Sequence, residues 1–160
     1  MSSNGHTVLV IDDEEGMRDF LKGILALEGF SVHTSADARE AIDQAVTLNP
    51  DLILLDLTLP GTDGVAVCRA LRASEKTQRI PILIVTGSLS NKQIEASMNC
   101  GADDFISKPV DVPDMLIRVQ ALLECRDIMD PMHRLSTYVE RVLEMTKAAP
   151  PPASTERESV

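Results

Sequence analysis

The sequence predicts an α/β fold with an open, parallel sheet, and two observations lead to this prediction. First, short runs of apolar and β-branched residues alternate along the chain with segments of helical periodicity. Second, the clearest runs are apolar at every position, as expected of parallel strands that helices cover on both faces. These runs are residues 8–11, 52–55 and 82–85, and weaker strands are predicted at 30–35 and 104–108.

Five helices are predicted beside the five strands, each from apolar residues three or four positions apart. Their stripes cover residues 17–25, 38–45, 65–71, 94–98 and 112–123. Gly29 and Gly101 follow the first and fourth stripes, where a glycine commonly ends a helix. Asp63 precedes the third stripe as an N-cap candidate. These elements complete one domain, residues 1–125.

A further helix is predicted after this domain, in a C-terminal helical extension at residues 126–147. Asp130–Pro131 marks its start, because proline is favoured at the first position after a capping residue. The helix carries an apolar stripe at spacings of three and four residues: Met132, Leu135, Val139 and Val142. Such a stripe requires burial. It fits a homodimerisation or partner-docking helix, or a linker segment that covers the last helix of the sheet.

Composition excludes several classes of function. The chain has 15 basic and 25 acidic side chains, a net charge of −10, which opposes direct DNA binding. Its apolar runs are too short to span a membrane, and its first residues do not resemble a signal peptide. The three widely spaced cysteines form no CxxC motif, which favours a reducing, cytoplasmic location. Residues 148–160 include three consecutive prolines and are expected to be disordered.

Polar residues follow the predicted strands at their carboxyl ends: Asp12, Asp13, Asp56, Thr86 and Lys108. In open α/β sheets, ligands bind beyond these ends. Carboxylates about 4 Å apart repel by roughly 4 kcal/mol per pair at an effective dielectric near 20. Either a carboxyl group takes up a proton or a cation occupies the site, and Mg²⁺ fits best because it keeps several waters. A lysine and a threonine hydroxyl beside such a metal suit phosphoryl transfer onto an aspartate.

Each of these residues also has a structural alternative. Asp13 could cap the first helix, Asp56 could end its strand as a turn residue, and Thr86 could cap the next helix. Lys108 could be a solvated surface charge. All of these alternatives would have to coincide at one edge of the sheet, which favours the site.

In these positions the chain resembles the receiver domain of bacterial two-component response regulators, the CheY-like domain, over residues 6–125. The blocks that carry the resemblance are residues 8–14, 50–56, 59–64, 81–87 and 101–109. Together, in this order and spacing, they are specific. The resemblance implies a flavodoxin-like, doubly wound, five-stranded parallel sheet of strand order 2-1-3-4-5 with five helices.

The resemblance also implies the roles of the acidic residues. Asp56 matches the phosphoacceptor, which takes its phosphoryl group from a histidine kinase, a phosphotransfer protein or a small phosphodonor. Asp12 and Asp13 match the pair that holds Mg²⁺ together with Asp56. The backbone carbonyl of Thr58 matches a further metal ligand.

Switch residues are implied in the same way. Thr86 matches the switch hydroxyl, Phe105 the switch aromatic, and Lys108 the lysine that contacts the phosphate. The switch would be displayed on the face formed by the fourth helix, fifth strand and fifth helix. The Lys108–Pro109 bond matches one that is usually cis in the family, and a proline that starts the last helix fits equally well.

We therefore expect a phosphorylation-dependent switch without a large output domain, which is not an enzyme apart from phosphorylation and dephosphorylation of its own Asp56. It would bind an unknown downstream protein or pass the phosphoryl group along a relay. One alternative, a phosphohydrolase of the haloacid dehalogenase type, needs a second aspartate where this chain has Thr58. The other is a scaffold that does not depend on phosphorylation.

Three positions depart from the family pattern. Thr58 and Ser88 offer no amide or carboxylate to orient water, so we expect slow to moderate dephosphorylation. Ile94 stands where the DNA-binding subfamily is normally basic, although Asp103, Asp104 and Arg118 match. The dimer of that subfamily is therefore not expected.

Overall fold

Residues 5–87 and 90–149 are described by a computed structural model. Five parallel strands form one sheet: β1 (Thr7–Ile11), β2 (Ser31–Ser35), β3 (Leu52–Leu55), β4 (Ile82–Thr86) and β5 (Asp104–Ser107). Their order is β2-β1-β3-β4-β5. The predicted fold class and strand order are confirmed.

Six helices accompany the sheet: α1 (Glu15–Leu27), α2 (Ala38–Leu48), α3 (Gly64–Ala73), α4 (Asn91–Asn99), α5 (Val112–Cys125) and α6 (Pro131–Ala148). α1 and α5 cover one face of the sheet, and α2 and α3 cover the other. Successive residues of the central strands enter the two cores alternately, because side chains alternate across a strand. This double covering explains why those strands are apolar at every position.

The predicted helix boundaries have local causes. The Asp63 carboxylate accepts a hydrogen bond from the Val65 backbone at 2.9 Å, and the Asp130 carboxylate accepts one from His133 at 2.7 Å. Gly101 ends α4 at a φ of +92°, a conformation that glycine adopts without strain. Sequence patterns therefore located these helix ends correctly.

A short antiparallel ribbon, which the sequence did not predict, lies between β3 and α3. Thr58–Leu59 pairs with Thr62–Asp63, and Gly61 turns the chain with a φ of +67°. The ribbon is two residues long on each side, too short for a periodic signal. It brings the chain back to the start of α3.

α6 packs on α5 through one face only. Tyr138 is buried, Val142 and Met145 pack partly buried against the α1–α5 core, and Arg141 binds Glu124 at 2.6 Å. Of the four residues of the predicted stripe, Met132, Leu135 and Val139 are exposed and Val142 is partly buried. The sequence did not say which surface the stripe would meet, and in the structure α6 turns Tyr138 rather than most of the stripe toward the domain.

The end of the chain is only partly described. Ala148, which was expected to begin the disordered segment, is the last residue of α6. Ala149 is the last described residue. The rest of the segment predicted to be disordered, residues 150–160, lies outside the described residues. Across the described ranges, no helix combines the length and apolar character needed to cross a membrane.

Candidate functional site

Two neighbouring strands bring Asp12 and Asp56 side by side. Asp12 follows β1, and its N–H donates to the carbonyl of Ser35 at 3.1 Å. Asp56 follows β3, and its N–H donates to the carbonyl of Ile11 at 2.9 Å. Because β1 and β3 are adjacent and parallel, their carboxyl ends lie at one edge of the sheet. Both side chains are almost fully buried there, with 1% and 4% exposure.

Asp13 joins them to form a three-carboxylate cluster. One carboxylate oxygen of each of Asp12, Asp13 and Asp56 lies within 4.8 Å of the other two. Asp13 is exposed, so the cluster opens to solvent on that side. An all-oxygen donor set with solvent access fits a hard divalent cation such as Mg²⁺, which binds few protein oxygens and retains water.

Lys108 is the positive charge of this site. Its Nζ lies 2.8 Å from Asp12 Oδ2 and 3.1 Å from Asp56 Oδ2. The backbone positions it, since the Lys108 N–H donates to the carbonyl of Thr86 at 3.0 Å. Burial by itself would lower the pKa of Lys108, but its hydrogen bonds and ion pairs with the two aspartates outweigh burial and raise it. The ammonium group therefore stays charged at neutral pH.

The second oxygens of the two buried carboxylates are held by backbone donors. Asp12 Oδ1 accepts from the N–H of Glu14 at 2.9 Å, and Asp56 Oδ1 accepts from the N–H of Thr58 at 3.1 Å. Arg18 donates to the backbone carbonyl of Asp12 at 2.8 Å. Asp56 thus has one oxygen fixed by the chain and the other directed toward the ammonium of Lys108.

The structural alternatives for three of these residues are wrong. Glu14, not Asp13, is the N-cap of α1, and it makes no side-chain capping bond. Ser90, not Thr86, caps α4. Lys108 is ion-paired instead of solvated.

The remaining predicted residues lie on β4, on β5 and in the loops that follow β3 and β5. Thr86 is fully buried at the end of β4, and Phe105 is half-buried on β5 beside the core under α2 and α3. Thr58 is exposed directly after Leu57. The Lys108–Pro109 bond is cis, and α5 begins only at Val112. Ser88 lies outside the described residues.

Sequence reasoning missed the positioning role of Gly64. A Cβ atom at this position would lie 2.5 Å from Leu57 Cα and 2.6 Å from the backbone oxygen of Asp56. The Gly64 N–H also donates to the Leu57 carbonyl at 2.9 Å. Only glycine lets the start of α3 approach the loop that carries Asp56, and nothing in the linear sequence reveals this contact.

A second polar cluster, also unpredicted, connects α6 to the sheet. Tyr138 and Arg118 both donate to Asp104 Oδ2, and Arg118 also binds Asp114 at 3.0 Å. Burial and, secondarily, the Asp104 carboxylate raise the pKa of the Tyr138 hydroxyl, which therefore stays protonated as a donor. Asp104 precedes Phe105 on β5, so α6 contacts the sheet one residue from the predicted switch aromatic.

The doubly wound sheet with an acidic cluster at its carboxyl edge defines an α/β domain of the CheY type. The chain belongs to the response regulator receiver domain family, whose model matches residues 8–120. Receiver domains are signalling domains of two-component systems and are not typically enzymes. Membership in this family contradicts the haloacid dehalogenase alternative.

Individual relatives agree with this assignment. The chain is 41% identical over 120 residues to the DNA-binding dual master transcriptional regulator RpaA of Synechocystis, covering 75% of the chain and 50% of that protein. It is 36% identical over 126 residues to the response regulator ArlR of Staphylococcus aureus, covering 77% and 56%. The chain thus spans about half the length of these curated relatives.

Solved structures show the same fold. A CheY-like receiver domain protein from Methanospirillum hungatei superimposes with a TM-score of 0.72 at 29% identity, over 76% of the chain and 96% of that structure. The receiver domain of a signal transduction histidine kinase from Syntrophus aciditrophicus superimposes with a TM-score of 0.73 at 30% identity, over 79% and 96%. Receiver-fold structures therefore match the domain nearly along their whole length.

Proposed function

We propose that this chain is a phosphorylation-dependent switch whose phosphoacceptor is Asp56. The observation that carries the proposal is the cluster of Asp12, Asp13 and Asp56, within which Lys108 bridges the two buried carboxylates. Such an arrangement concentrates negative charge around one lysine, at the edge of the sheet where α/β proteins bind ligands. It suits the capture of a phosphoryl group with its counter-cation.

The donor is the phosphohistidine of a histidine kinase or of a phosphotransfer protein, or a small acyl phosphate. A carboxylate oxygen of Asp56 attacks the phosphorus, an aspartyl O–P bond forms, and the N–P bond of the phosphohistidine breaks. The electron pair of that bond leaves on the imidazole nitrogen. Lys108, which is already within reach of Asp56 Oδ2, then pairs with a phosphoryl oxygen.

The cofactor would be Mg²⁺, and Asp12, Asp13, Asp56 and the backbone carbonyl of Thr58 would hold it. When bound, Mg²⁺ would supply positive charge that offsets the carboxylates and the phosphoryl oxygens. The exposed Asp13 leaves an entry path from solvent. The Thr58 N–H bond to Asp56 Oδ1 keeps this residue beside the cluster, which supports a ligand role for its carbonyl.

Phosphorylation would be read through Thr86 and Phe105. A hydrogen bond from Thr86 and an ion pair from Lys108 to the phosphate contribute roughly 1.5–3 kcal/mol each. Two such contacts approach the roughly 5.5 kcal/mol that moves an equilibrium from 1:99 to 99:1. Phe105 is half-buried on β5 and would report the shift by changing rotamer on the face of α4, β5 and α5.

The output of this segment is contact with another protein and not with DNA. Its net charge of −10 supports this assignment. We place the protein in the cytoplasm, which the three buried, free cysteines Cys68, Cys100 and Cys125 support. Neither Thr58 nor Ser88 offers an amide or carboxylate to orient water, which supports an aspartyl phosphate that persists longer than seconds.

The test is incubation with acetyl phosphate and Mg²⁺, followed by intact-protein mass spectrometry. We expect a mass gain of one phosphoryl group that is lost in Asp56→Asn and when EDTA removes the divalent ion. Asp63→Asn is the matched control, because Asp63 is an exposed aspartate of the same loop region and asparagine preserves its capping role.

Two results would decide against the proposal. A phosphoryl group that remains in Asp56→Asn would place the acceptor elsewhere. If the unsubstituted chain gains no mass from acetyl phosphate and none from a phosphorylated kinase, the phosphorylation-independent scaffold would be favoured. Loss of the aspartyl phosphate within seconds would contradict only the slow dephosphorylation.

A further inference from the structure

A cleft separates the first two turns of α6 from the amino-terminal edge of the sheet. The loops that precede β4 and β5 and the last turn of α5 line its other sides. Its volume is about 360 Å³, which is within the range of sites that bind small molecules. Asp12, Asp56 and Lys108 lie at the opposite, carboxyl edge, after β1, β3 and β5. The cleft is therefore separate from the proposed phosphoacceptor site.

Arginine dominates the charged lining of this cleft. Four arginines and a single aspartate contribute to it: Arg72, Arg79, Arg126, Arg134 and Asp103. The chain as a whole carries a net charge of −10, so the cleft is a local reversal of its charge. A concave surface of one sign concentrates ligands of the opposite sign. The lining therefore favours an anionic ligand.

Two of the four arginines already have acidic partners and hold the walls in place. Arg72 donates to Asp103 Oδ2 at 2.8 Å and to the carbonyl of Ile80 at 2.6 Å, which ties α3 to the loops before β4 and β5. Arg126 donates to Asp51, which ties the end of α5 to the start of β3. These two side chains shape the cleft but leave little charge for a ligand.

The other two, Arg79 and Arg134, have no acidic partner in the part of the chain that the structure describes. Arg79 Nη1 donates at 3.3 Å to the sulfur of Met129, a weak acceptor, and this contact brings its guanidinium beside the start of α6. Arg134 is half-buried one turn into α6. The nearest acidic residue in sequence, Asp130, accepts instead from the N–H of His133. Two guanidinium groups are thus available to one ligand.

Apolar side chains complete the lining. Leu122, Tyr138 and Pro81 are buried in its walls, and Leu135, which is 52% exposed, borders it from α6. Small-molecule sites commonly combine such an apolar wall with a few polar groups that orient the ligand. The arrangement suits a ligand with a compact anionic head and an apolar body.

The number of available arginines indicates the charge of that head. A phosphate monoester carries about −1.5 to −2 at pH 7 and three acceptor oxygens, whereas a carboxylate carries one negative charge. The planar guanidinium group matches phosphate oxygens in pairs. Two arginines without acidic partners therefore balance the charge of one phosphate monoester.

We propose that this cleft binds a small phosphate monoester. Its phosphate contacts Arg79 and Arg134, and its apolar organic body packs against Leu122 and Leu135. Binding involves no covalent step and does not depend on phosphorylation of Asp56.

Titration of the full chain with phenyl phosphate, followed by heteronuclear NMR in the presence of EDTA, tests the site. We expect saturable shifts of the backbone amides of Ala102 and Arg134 and unchanged amides at Asp12 and Glu14. Benzenesulfonate has the same ring and one negative charge, and inorganic phosphate has the charge without the ring. Both should bind at least about tenfold more weakly, because each lacks one half of the contacts.

Substitutions locate the ligand. Arg79→Gln and Arg134→Gln should each weaken phenyl phosphate binding by about tenfold or more, since each removes a charge-assisted contact. Arg39→Gln, at an exposed arginine of α2, is the matched control and should bind normally. Leu135→Ala should weaken binding of phenyl phosphate but not of inorganic phosphate. Asp56→Asn should bind phenyl phosphate normally, which separates this test from that of the phosphoacceptor.

Four results would overturn the proposal. The absence of saturable shifts at millimolar phenyl phosphate would exclude the site. Equal affinity for benzenesulfonate would exclude selection of a doubly charged head, and equal affinity for inorganic phosphate would exclude a role for the apolar wall. Normal binding by both Arg79→Gln and Arg134→Gln would place the ligand on another surface.

Discussion

The receiver domain and α6 carry similar apolar patterns but use them differently. In the domain, apolar residues at β-strand or helical spacing are buried in two cores that the sheet separates. In α6, three of the four residues of the predicted stripe are exposed, and the residues that pack against the domain are Tyr138, Val142 and Met145. A periodic apolar pattern identifies one face of a helix or strand. Whether that face is buried depends on which neighbouring elements pack against it.

The largest difference between the two regions should appear in leucine-to-alanine substitutions. Leu54 in β3 is 1% exposed, and Leu54→Ala should lower the free energy of unfolding by about 3 kcal/mol through the cavity it leaves. Leu135→Ala in α6 should lower it by less than about 0.5 kcal/mol. Urea denaturation at protein concentrations where the chain is monomeric measures both. Equal losses would contradict the exposure of the stripe.

Gly64 should be the most sensitive glycine of the domain. Gly64→Ala should lower the free energy of unfolding by about 2 kcal/mol and reduce acetyl phosphate uptake, because the new methyl group meets the backbone of Asp56 and Leu57. The matched control is Gly23→Ala in α1, where a Cβ meets no atom within 4 Å. That substitution should stabilise the helix by about 0.5–1 kcal/mol. A harmless Gly64→Ala would mean that the start of α3 lies farther from Asp56.

Removing the Tyr138 hydroxyl should loosen α6 without affecting the domain. Tyr138→Phe keeps the buried ring but loses the bond to Asp104, at an expected cost of about 1.5 kcal/mol because the acceptor is charged. Hydrogen exchange should accelerate in α6 and remain unchanged in β1 and β3. Unchanged exchange in α6 would show that apolar packing alone holds this helix.

The smallest expected effect is a pH dependence of the α5–α6 contact. The hydrogen bond from Arg141 lowers the pKa of Glu124 below its ordinary value of 4.5. The unfolded chain therefore binds a proton at higher pH than the folded one, so this stabilisation is present above pH 4.5 and is lost as pH falls through the lower folded pKa. Both side chains are partly exposed, which weakens the effect through solvent screening.

Comparison with Glu124→Gln isolates this contribution from those of other carboxyl groups. The two proteins should differ in stability at pH 7 and converge as the pH falls through the lowered pKa of Glu124 in the folded chain. A difference that persists unchanged in acid would assign the loss to packing of the Glu124 side chain instead of its charge.

Much of the site could be anticipated because parallel strands end at a common edge. Asp12, Asp56 and Lys108 each follow an apolar run, and this was sufficient to predict that they lie close together. The ion pairs of Lys108 with both aspartates confirm that proximity. The need for glycine at position 64 could not be anticipated, because it arises from the close approach of α3 to the backbone of Asp56 and Leu57. The Asp104–Tyr138 contact was equally hidden, because it depends on how α6 is rotated about its axis, and no local sequence pattern determines that rotation.

The sequence by itself determined the order of strands and helices along the chain and the helix ends at Asp63, Gly101 and Asp130. It also determined the edge of the sheet at which the acidic residues gather. These features follow from local hydrogen bonding, backbone preference and side-chain periodicity, which act over a few residues. Only the tertiary structure decided which face of α6 meets the domain. A helix can rotate about its own axis at little local cost, so the long-range bond from Tyr138 to Asp104 fixes its rotation and leaves the apolar stripe exposed.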